Sequence, residues 1–539
     1  MKKIALVSLL LSTLTLSSCT YIHFISSSAE QSESTPAPTT SKKPSAIVSS
    51  TYENYVKNSV YYESAIPTST EKSKYLVLPV WFSDSANLID DGESQPSILA
   101  KVTTAFSGTE EETGWHSVKT YYETESLGKK TFDFTIADWY ECGYESKFFA
   151  GDQDDEEVAT ETEALINKTI NHYFTSHTEE DRKDYDSDGD GYLDAVAIVY
   201  GAPNYNSGFD YSHYYHARPS TSFSNFWAYV YWLQNPDQQN VNYPGANAYL
   251  WASYDFANVN KKSDPKSPLK VDAHAYIHET GHLFGLDDYY DYTGSDKPAG
   301  AFSMQDYNVG GHDPYSVMSL GWCNDSIIIP DKTETLTLEP FMDTHQVILL
   351  TNNYADSIFD EYLLLELYTP TGLNELDCNY SYQSYSSGSS PTGPKMPGIR
   401  LWHVDARLAY KEGRGYDYDY SDSRITNTID TQYYYNMLCR NNTYVSGKSA
   451  DYFSPLAGGY NYAEYKLLQL IRQGDVAKLR NKSSLEYEDL FTAGESFNMT
   501  SYSRWFVERG KLNSGKQLGW SFTVDDVSAT SATITVTKL

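Results

Sequence analysis

The stretch from His278 to Tyr292 reads HETGHLFGLDDYYDY. Two imidazoles four residues apart fall on one face of a helix, about one turn from each other. His278 and His282 therefore offer the pair of nitrogen donors that zinc takes from a protein. Glu279 stands beside the first of them. From there a carboxylate can reach a water at the ion without using a ligand position, take its proton and later hand it to a leaving amine.

The third ligand is the next question. One zinc-protease plan places a glutamate on a second helix downstream, yet no Glu lies between Glu279 and Glu334. The other plan stops the helix at a glycine and turns back to a ligand three residues later. Gly285 stands where that stop is needed, because glycine tolerates the left-handed turn, and Asp288 follows at the right distance with a carboxylate oxygen. Asp287 is less well phased and is expected to hydrogen-bond a ligand or join a cation site. His312, the next histidine in the chain, is the rival for the third position. The plain alternative for the whole stretch is a helix with exposed histidines and an acidic loop.

A second constellation is DYDSDGDGYLD, Asp184 to Asp194. Counted from Asp186, it puts Asp186, Asp188 and Asp190 at positions 1, 3 and 5, Gly191 at 6 and Asp194 at 9, the alternating oxygens and sharp turn of a calcium loop. Ala197 occupies position 12, where a bidentate Glu belongs, so Asp184 is expected to supply an oxygen from the other side. The loop runs straight into an apolar stretch and is not half of an EF-hand pair. Its alternative is a solvated acidic turn.

The elements that must position these residues are partly readable. YLVLPVWF (Tyr75–Phe82) and DAVAIVYGA (Asp194–Ala202) are continuous apolar runs that suit strands buried on both faces. KTFDFTI (Lys130–Ile136) alternates, and AYLWASY (Ala248–Tyr254) reads as a fourth strand. Leu165, Ile166, Ile170, Tyr173 and Phe174 fall at helical spacing. Strands alternating with helices predict an α/β layer with the site at its edge. Beyond about Pro330 short strand-like runs dominate, among them HQVILLT, EYLLLELY, GIRLWHV and ATITVTKL, which predicts a β-rich, sandwich-like domain. His403, within GIRLWHV, reads as a satisfied core histidine.

The chain as a whole sets further bounds. Its 539 residues exceed one core and predict two folded domains plus tails. A net charge of -32 repels phosphate backbones and argues against nucleic acid as a partner. Lys2 and Lys3, the apolar run after them and LSSC ending at Cys19 describe a signal peptide over residues 1–18. LSSC resembles a bacterial lipobox, which implies cleavage before Cys19, a lipid on its sulfur and a protein tethered at the outer cell surface. Residues 19–70 then form a Ser/Thr/Pro-rich tether and lead-in, 71–330 the catalytic domain and 331–539 the β-rich domain. Cys142, Cys323, Cys378 and Cys439 are too widely spaced for a metal knuckle and read equally well as two disulfides or as isolated thiols.

HExxHxxGxxD followed by YYD resembles the immune inhibitor A family of secreted bacterial metallopeptidases, a metzincin-like group. YYETESLGKKTFDF, YDSDGDGYLDAVAIVYGA, GAFSMQDYNVGGHDPYSVMSLGW, EYLLLEL and GIRLWHVD resemble further segments of that family in the same order, so the resemblance runs from about Tyr75 to the C-terminus. It implies a metzincin-like zincin fold, zinc ligands His278, His282 and Asp288, Glu279 as general base, and Met304 as the Met-turn residue, with Met318 as its rival. Tyr307 lies three residues after Met304 rather than two, which weakens it as an oxyanion-stabilising group. The activity implied is zinc-dependent cleavage of protein or peptide substrates. A silent surface binding protein and an adhesin that retains a structural metal are the alternatives.

Overall fold

Strands buried on both faces need cover on both faces, and the first sheet has it. The computed structural model describes residues 52–59, 66–90, 92–153, 155–207, 222–233, 239–292, 297–323, 326–353, 357–384, 388–389, 392–413, 419, 421–439, 442, 465–474 and 485–539. The signal-peptide reading, Cys19 and the Ser/Thr/Pro-rich tether lie outside these residues. The protein is a mixed α/β structure with several sheets.

Six strands build the first sheet: β1 (Lys72–Trp81), β2 (Thr131–Ile136), β3 (Tyr140–Glu141), β4 (Val196–Tyr200), β5 (Tyr229–Trp232) and β6 (Ala248–Ser253). Their order is β2-β1-β4-β6-β5, with β3 also beside β1. All pairings are parallel except that of β5, which runs antiparallel to β6 at the edge. Alternate side chains part to opposite faces. Leu76, Leu78, Val80, Ile198 and Trp251 join a core covered by the long helix Glu156–Ser176 through Leu165, Ile166 and Ile170. Tyr75, Val77, Ala197, Val199, Leu250 and Ala252 face the other way. On that side lie helices α1 (Tyr52–Lys57), α2 (Gln95–Ser107), α3 (Glu110–Thr113) and α4 (Val118–Glu125), together with the helix His274–Leu283 that carries the histidines.

The β-rich part contains two stacked sheets. Strands Leu468–Ile471, Gly398–Asp405, Glu361–Tyr368, Val347–Leu350 and Ile327–Ile328 form one. Ser496–Phe497, Trp520–Val527, Ala532–Lys538 and Glu334–Leu338 form an antiparallel second. Leu363, Leu365 and Leu367 point into the core between the two sheets. Tyr362, Leu364 and Tyr368, from the same strand, point into the core that holds the histidine helix. The period-two alternation of one strand thus welds the two parts, and the apolar core does not break near residue 330.

The lead-in is also folded into this unit. Tyr52 donates its hydroxyl to Gly285 O at 2.8 Å, and Ile66 N–H donates to Leu283 O at 2.8 Å. Glu53 Oε2 accepts from the backbone N–H groups of Thr68 and Ser69 at 3.2 Å each. The four cysteines Cys142, Cys323, Cys378 and Cys439 are buried and unpaired, so the isolated-thiol alternative is the one found. His403 is buried and bonds Glu361 Oε1 at 2.8 Å. Among the described residues no helix is long and apolar enough to cross a membrane.

Candidate metal centre

The histidine helix, now α6 after the long helix Glu156–Ser176 as α5, is held from several sides before any ligand is considered. Tyr122 donates to Ile277 O at 2.8 Å, Tyr276 donates to Ser253 O at 2.8 Å, and the Tyr75 hydroxyl lies 3.1 Å from Thr280 Oγ1. These tyrosines give the core rings with polar tips that reach a backbone carbonyl or a threonine hydroxyl, a use for part of the high tyrosine content. Gly281 allows the Gln305 amide to press against the helix, since a Cβ there would lie 2.2 Å from Gln305 Oε1. Gly285 ends the helix at φ +90°, and Leu286 N–H closes back on Gly281 O at 3.1 Å. A Cβ on Gly285 would also meet Val56 Cγ2 at 2.3 Å.

That end turns the chain so that Asp288 comes under the two rings. Its Oδ1 lies 3.1 Å from His278 Nε2 and 3.3 Å from His282 Nε2. The ring centroids are 4.9 Å apart at an interplanar angle of 87°. His278 Nδ1 is 2.7 Å from Met304 O, and His282 Nδ1 is 2.7 Å from Leu286 O. A carbonyl can only accept, so both Nδ1 atoms carry a proton and both Nε2 atoms are the ring nitrogens turned to Asp288. Tyr292 donates to Asp288 Oδ2 at 2.7 Å, which leaves Oδ1 as the oxygen turned to the histidines. One nitrogen from each ring and one carboxylate oxygen thus converge within 4.8 Å, all on buried residues. Two neutral nitrogen donors and one anionic oxygen, oriented by outer hydrogen bonds, are a donor set that fits a divalent metal ion.

The charges agree with that geometry. Burial alone would lower the pKa of His282, but the facing Asp288 carboxylate outweighs it and raises it to about 9. Burial would raise Asp288, but the two histidines hold it below the usual carboxylate range. Glu279 is 2% exposed, and its charge acts on both His282 and Tyr75.

Other sequence-derived candidates part company here. His312 is fully buried beside Tyr121 and Tyr122, with ring centroids 5.8 and 6.1 Å away, and does not join the three ligand atoms. Met304 is buried and contributes its carbonyl to His278, whereas Met318 sits in the helix Pro314–Ser319. Tyr307 stacks on Tyr290 at 4.9 Å.

In the acidic loop, Asp186, Asp188 and Asp194 offer oxygens within 4.8 Å of one another. Asp190 accepts from Tyr192 N–H at 2.9 Å and stays outside that trio. Asp184, expected to add an oxygen from the other side, instead turns outward to Lys74 Nζ at 3.4 Å. It lies within a short helical turn, Arg182–Tyr185, which carries the side chain away. A cation is already present in another form, for Lys57 Nζ lies 2.6 Å from Asp188 Oδ2.

Sequence reasoning passed over Tyr292, Gln305 and the carbonyls of Met304 and Leu286. Tyr292 stands four residues after Asp288, a spacing that was visible, but tyrosines are too common in this chain to single one out. Backbone acceptors leave no residue-type signal at all.

No curated protein matches the chain. Residues 98–310 match the family model of the immune inhibitor A peptidase M6 catalytic domain, a span that contains both clusters but is narrower than the resemblance read from Tyr75 onward. The paired histidines and Asp288 converge inside that span, so this part of the chain is similar to a metallopeptidase catalytic domain of the immune inhibitor A type.

Proposed function

We propose that the metal is zinc and that the protein is an endopeptidase with Glu279 as general base, built on a metzincin-like catalytic unit with a sandwich-like β-rich region packed against it. The observation that carries this reading is the convergence of both Nε2 atoms on Asp288 Oδ1 at 3.1 and 3.3 Å. Zinc at this position supplies a Lewis acid for the scissile carbonyl and lowers the pKa of the attacking water. The residues do the rest. His278 and His282 hold their tautomers through Met304 O and Leu286 O. Tyr292 keeps Asp288 turned with Oδ1 inward. Glu279 takes the proton from the attacking water and returns it to the departing amine nitrogen. Its burial shields that transfer from bulk solvent.

The acidic loop is read as a calcium site formed by Asp186, Asp188 and Asp194, with Asp190 next to it. Burial, and after it the charge of Asp188, raises Asp190 to about 7, and burial raises Asp194 to about 6; a divalent cation would favour the charged form of both. The N-terminal pattern supports export and a lipid tether at Cys19 outside the cell.

The deciding experiment measures zinc content and cleavage of an unfolded protein substrate, for the native chain and for Glu279→Ala. Zinc in both with cleavage by the native chain alone is the expected result. Zinc in both and cleavage in neither would favour the silent binding protein, and absence of zinc from both would sink the metal reading.

A further inference from the structure

Behind the metal centre, a buried carboxylate on a different helix is tied to the first histidine by hydrogen bonds that pass through the backbone of Gly311–His312 and of Met304. Glu125, the last residue of α4, is 1% exposed. Its Oε1 accepts from His312 N–H at 3.2 Å. Tyr121, beside the same carboxyl, donates its hydroxyl to Gly310 O at 3.0 Å. The residue between them, Gly311, accepts from Met304 N–H through its carbonyl at 3.2 Å. Met304 in turn accepts from His278 Nδ1 at 2.7 Å. Three successive residues, Gly310 to His312, are thus clamped from α4 and hold the one backbone carbonyl that orients the His278 ring.

The packing leaves this loop little freedom. A Cβ on Gly311 would lie 2.4 Å from Met342 Sδ and 3.2 Å from Glu125 Oε2. A Cβ on Gly310 would lie 2.6 Å from Asn308 Nδ2 and 2.9 Å from Asn374 Oδ1. The two glycines let backbone, carboxyl and amide come this close. Outer partners of a ligating histidine set its tautomer and ring direction, and with them the strength of the metal site.

We propose that Glu125 is a positioning residue for the metal centre, acting through the Gly310–His312 loop and Met304 on the ring of His278. The inference rests on the reading of His278 as a metal ligand. Glu125 touches neither metal nor substrate. Its service is to hold the carbonyl of Met304 where the Nδ1 proton of His278 needs it. Burial pushes Glu125 up to about 8, so near neutral pH it stands uncharged and a glutamine copies both its shape and its charge.

The test compares Glu125→Ala and Glu125→Gln with the native chain, in zinc affinity by chelator competition and in the visible spectrum of the cobalt-substituted protein. Glu125→Ala is expected to weaken zinc binding about tenfold and to shift the cobalt bands. Glu125→Gln is expected to restore both. A Glu125→Ala protein that melts earlier but binds zinc and shows cobalt bands like the native chain would overturn the proposal, since a packing role alone would do that. If the alanine variant does not fold, Tyr121→Phe carries the test: a shifted cobalt spectrum supports the clamp and a native one overturns it. Failure of the native chain itself to bind zinc or cobalt would instead remove the metal reading beneath it.

Discussion

Among the described residues two clusters of metal-ligating atoms are each drawn together within 4.8 Å, and they are built in opposite ways. The histidine cluster sits at the end of a helix whose rings are fixed by backbone carbonyls, whose carboxylate is fixed by Tyr292, and whose members are all buried. The acidic cluster sits on a loop. Its carboxylates are satisfied by backbone N–H groups of the loop itself, such as Gly191 N–H to Asp186 Oδ2 at 3.0 Å, and a lysine already lies against Asp188. The first arrangement has its cost of ordering met by the fold before a metal arrives, which suits chemistry that must not move. The second gains order from whatever cation it holds, which suits bracing. The two clusters touch a common element. Helix α1 places Tyr52 on Gly285 and Lys57 on Asp188.

The sharpest way to break this comparison is through Glu279. Replacing it by Ala is expected to lower kcat about a hundred- to ten-thousand-fold while bound zinc stays at one per chain. Zinc analysis beside steady-state kinetics reads both. Removal of calcium with a selective chelator should leave kcat near native in protein that stays folded. A large fall in kcat from that treatment would mean that the acidic loop belongs to the chemistry and that the division drawn above is wrong.

The next effect is structural. Gly285→Ala forces a side chain into a left-handed turn and against Val56, and it should destabilise the fold by about 1–3 kcal/mol. Because Asp288 hangs from that turn, zinc affinity should fall with it. Thermal unfolding with and without zinc tests this: a variant with native stability and native zinc affinity would show that the turn does not set the carboxylate. Smaller again is Tyr292→Phe. Losing the hydroxyl frees Asp288 Oδ2 and should weaken zinc binding about tenfold with little change in melting temperature. Unchanged affinity in chelator competition would make Tyr292 a bystander.

What was legible in the sequence follows the same divide. The candidate metal-binding residues His278 and His282 lie on one helix, and Gly285 and Asp288 follow closely, so spacing alone brought them together. The apolar runs of β1, β4 and β6 were readable because burial on both faces leaves no alternation to misjudge. Strand β5 was missed. It has four residues, and its antiparallel direction is set by pairing with β6, a contact no local pattern encodes. The shared core was missed for a similar reason. Leu363 and Leu364 are both leucines, and only the tertiary structure tells which faces the second sheet and which faces the histidine helix. Asp184 misled because its spacing fits the loop while the turn Arg182–Tyr185 aims it at Lys74.

The finest test separates the clusters at Lys57. Its ammonium pairs with Asp188 at 2.6 Å and with Glu53 at 3.2 Å, both side chains being largely buried. A calcium ion using Asp188 must share that carboxylate with the lysine, so the lysine opposes the ion while supporting the empty loop. Lys57→Met keeps the length of the side chain and removes the charge. The calcium-free protein should then melt slightly earlier, and calcium should bind severalfold more tightly, a change within about 1 kcal/mol for a partly exposed pair. Calorimetric titration with calcium and melting curves with and without the ion read the two opposite signs. If calcium binds neither protein, the acidic loop is a lysine-braced turn. If it binds both with equal affinity, Asp188 is not shared and the ion lies on Asp186 and Asp194. Zinc affinity is expected to stay at its native value throughout, because Lys57 and Tyr52 are on different turns of α1 and only Tyr52 touches the carbonyl of Gly285.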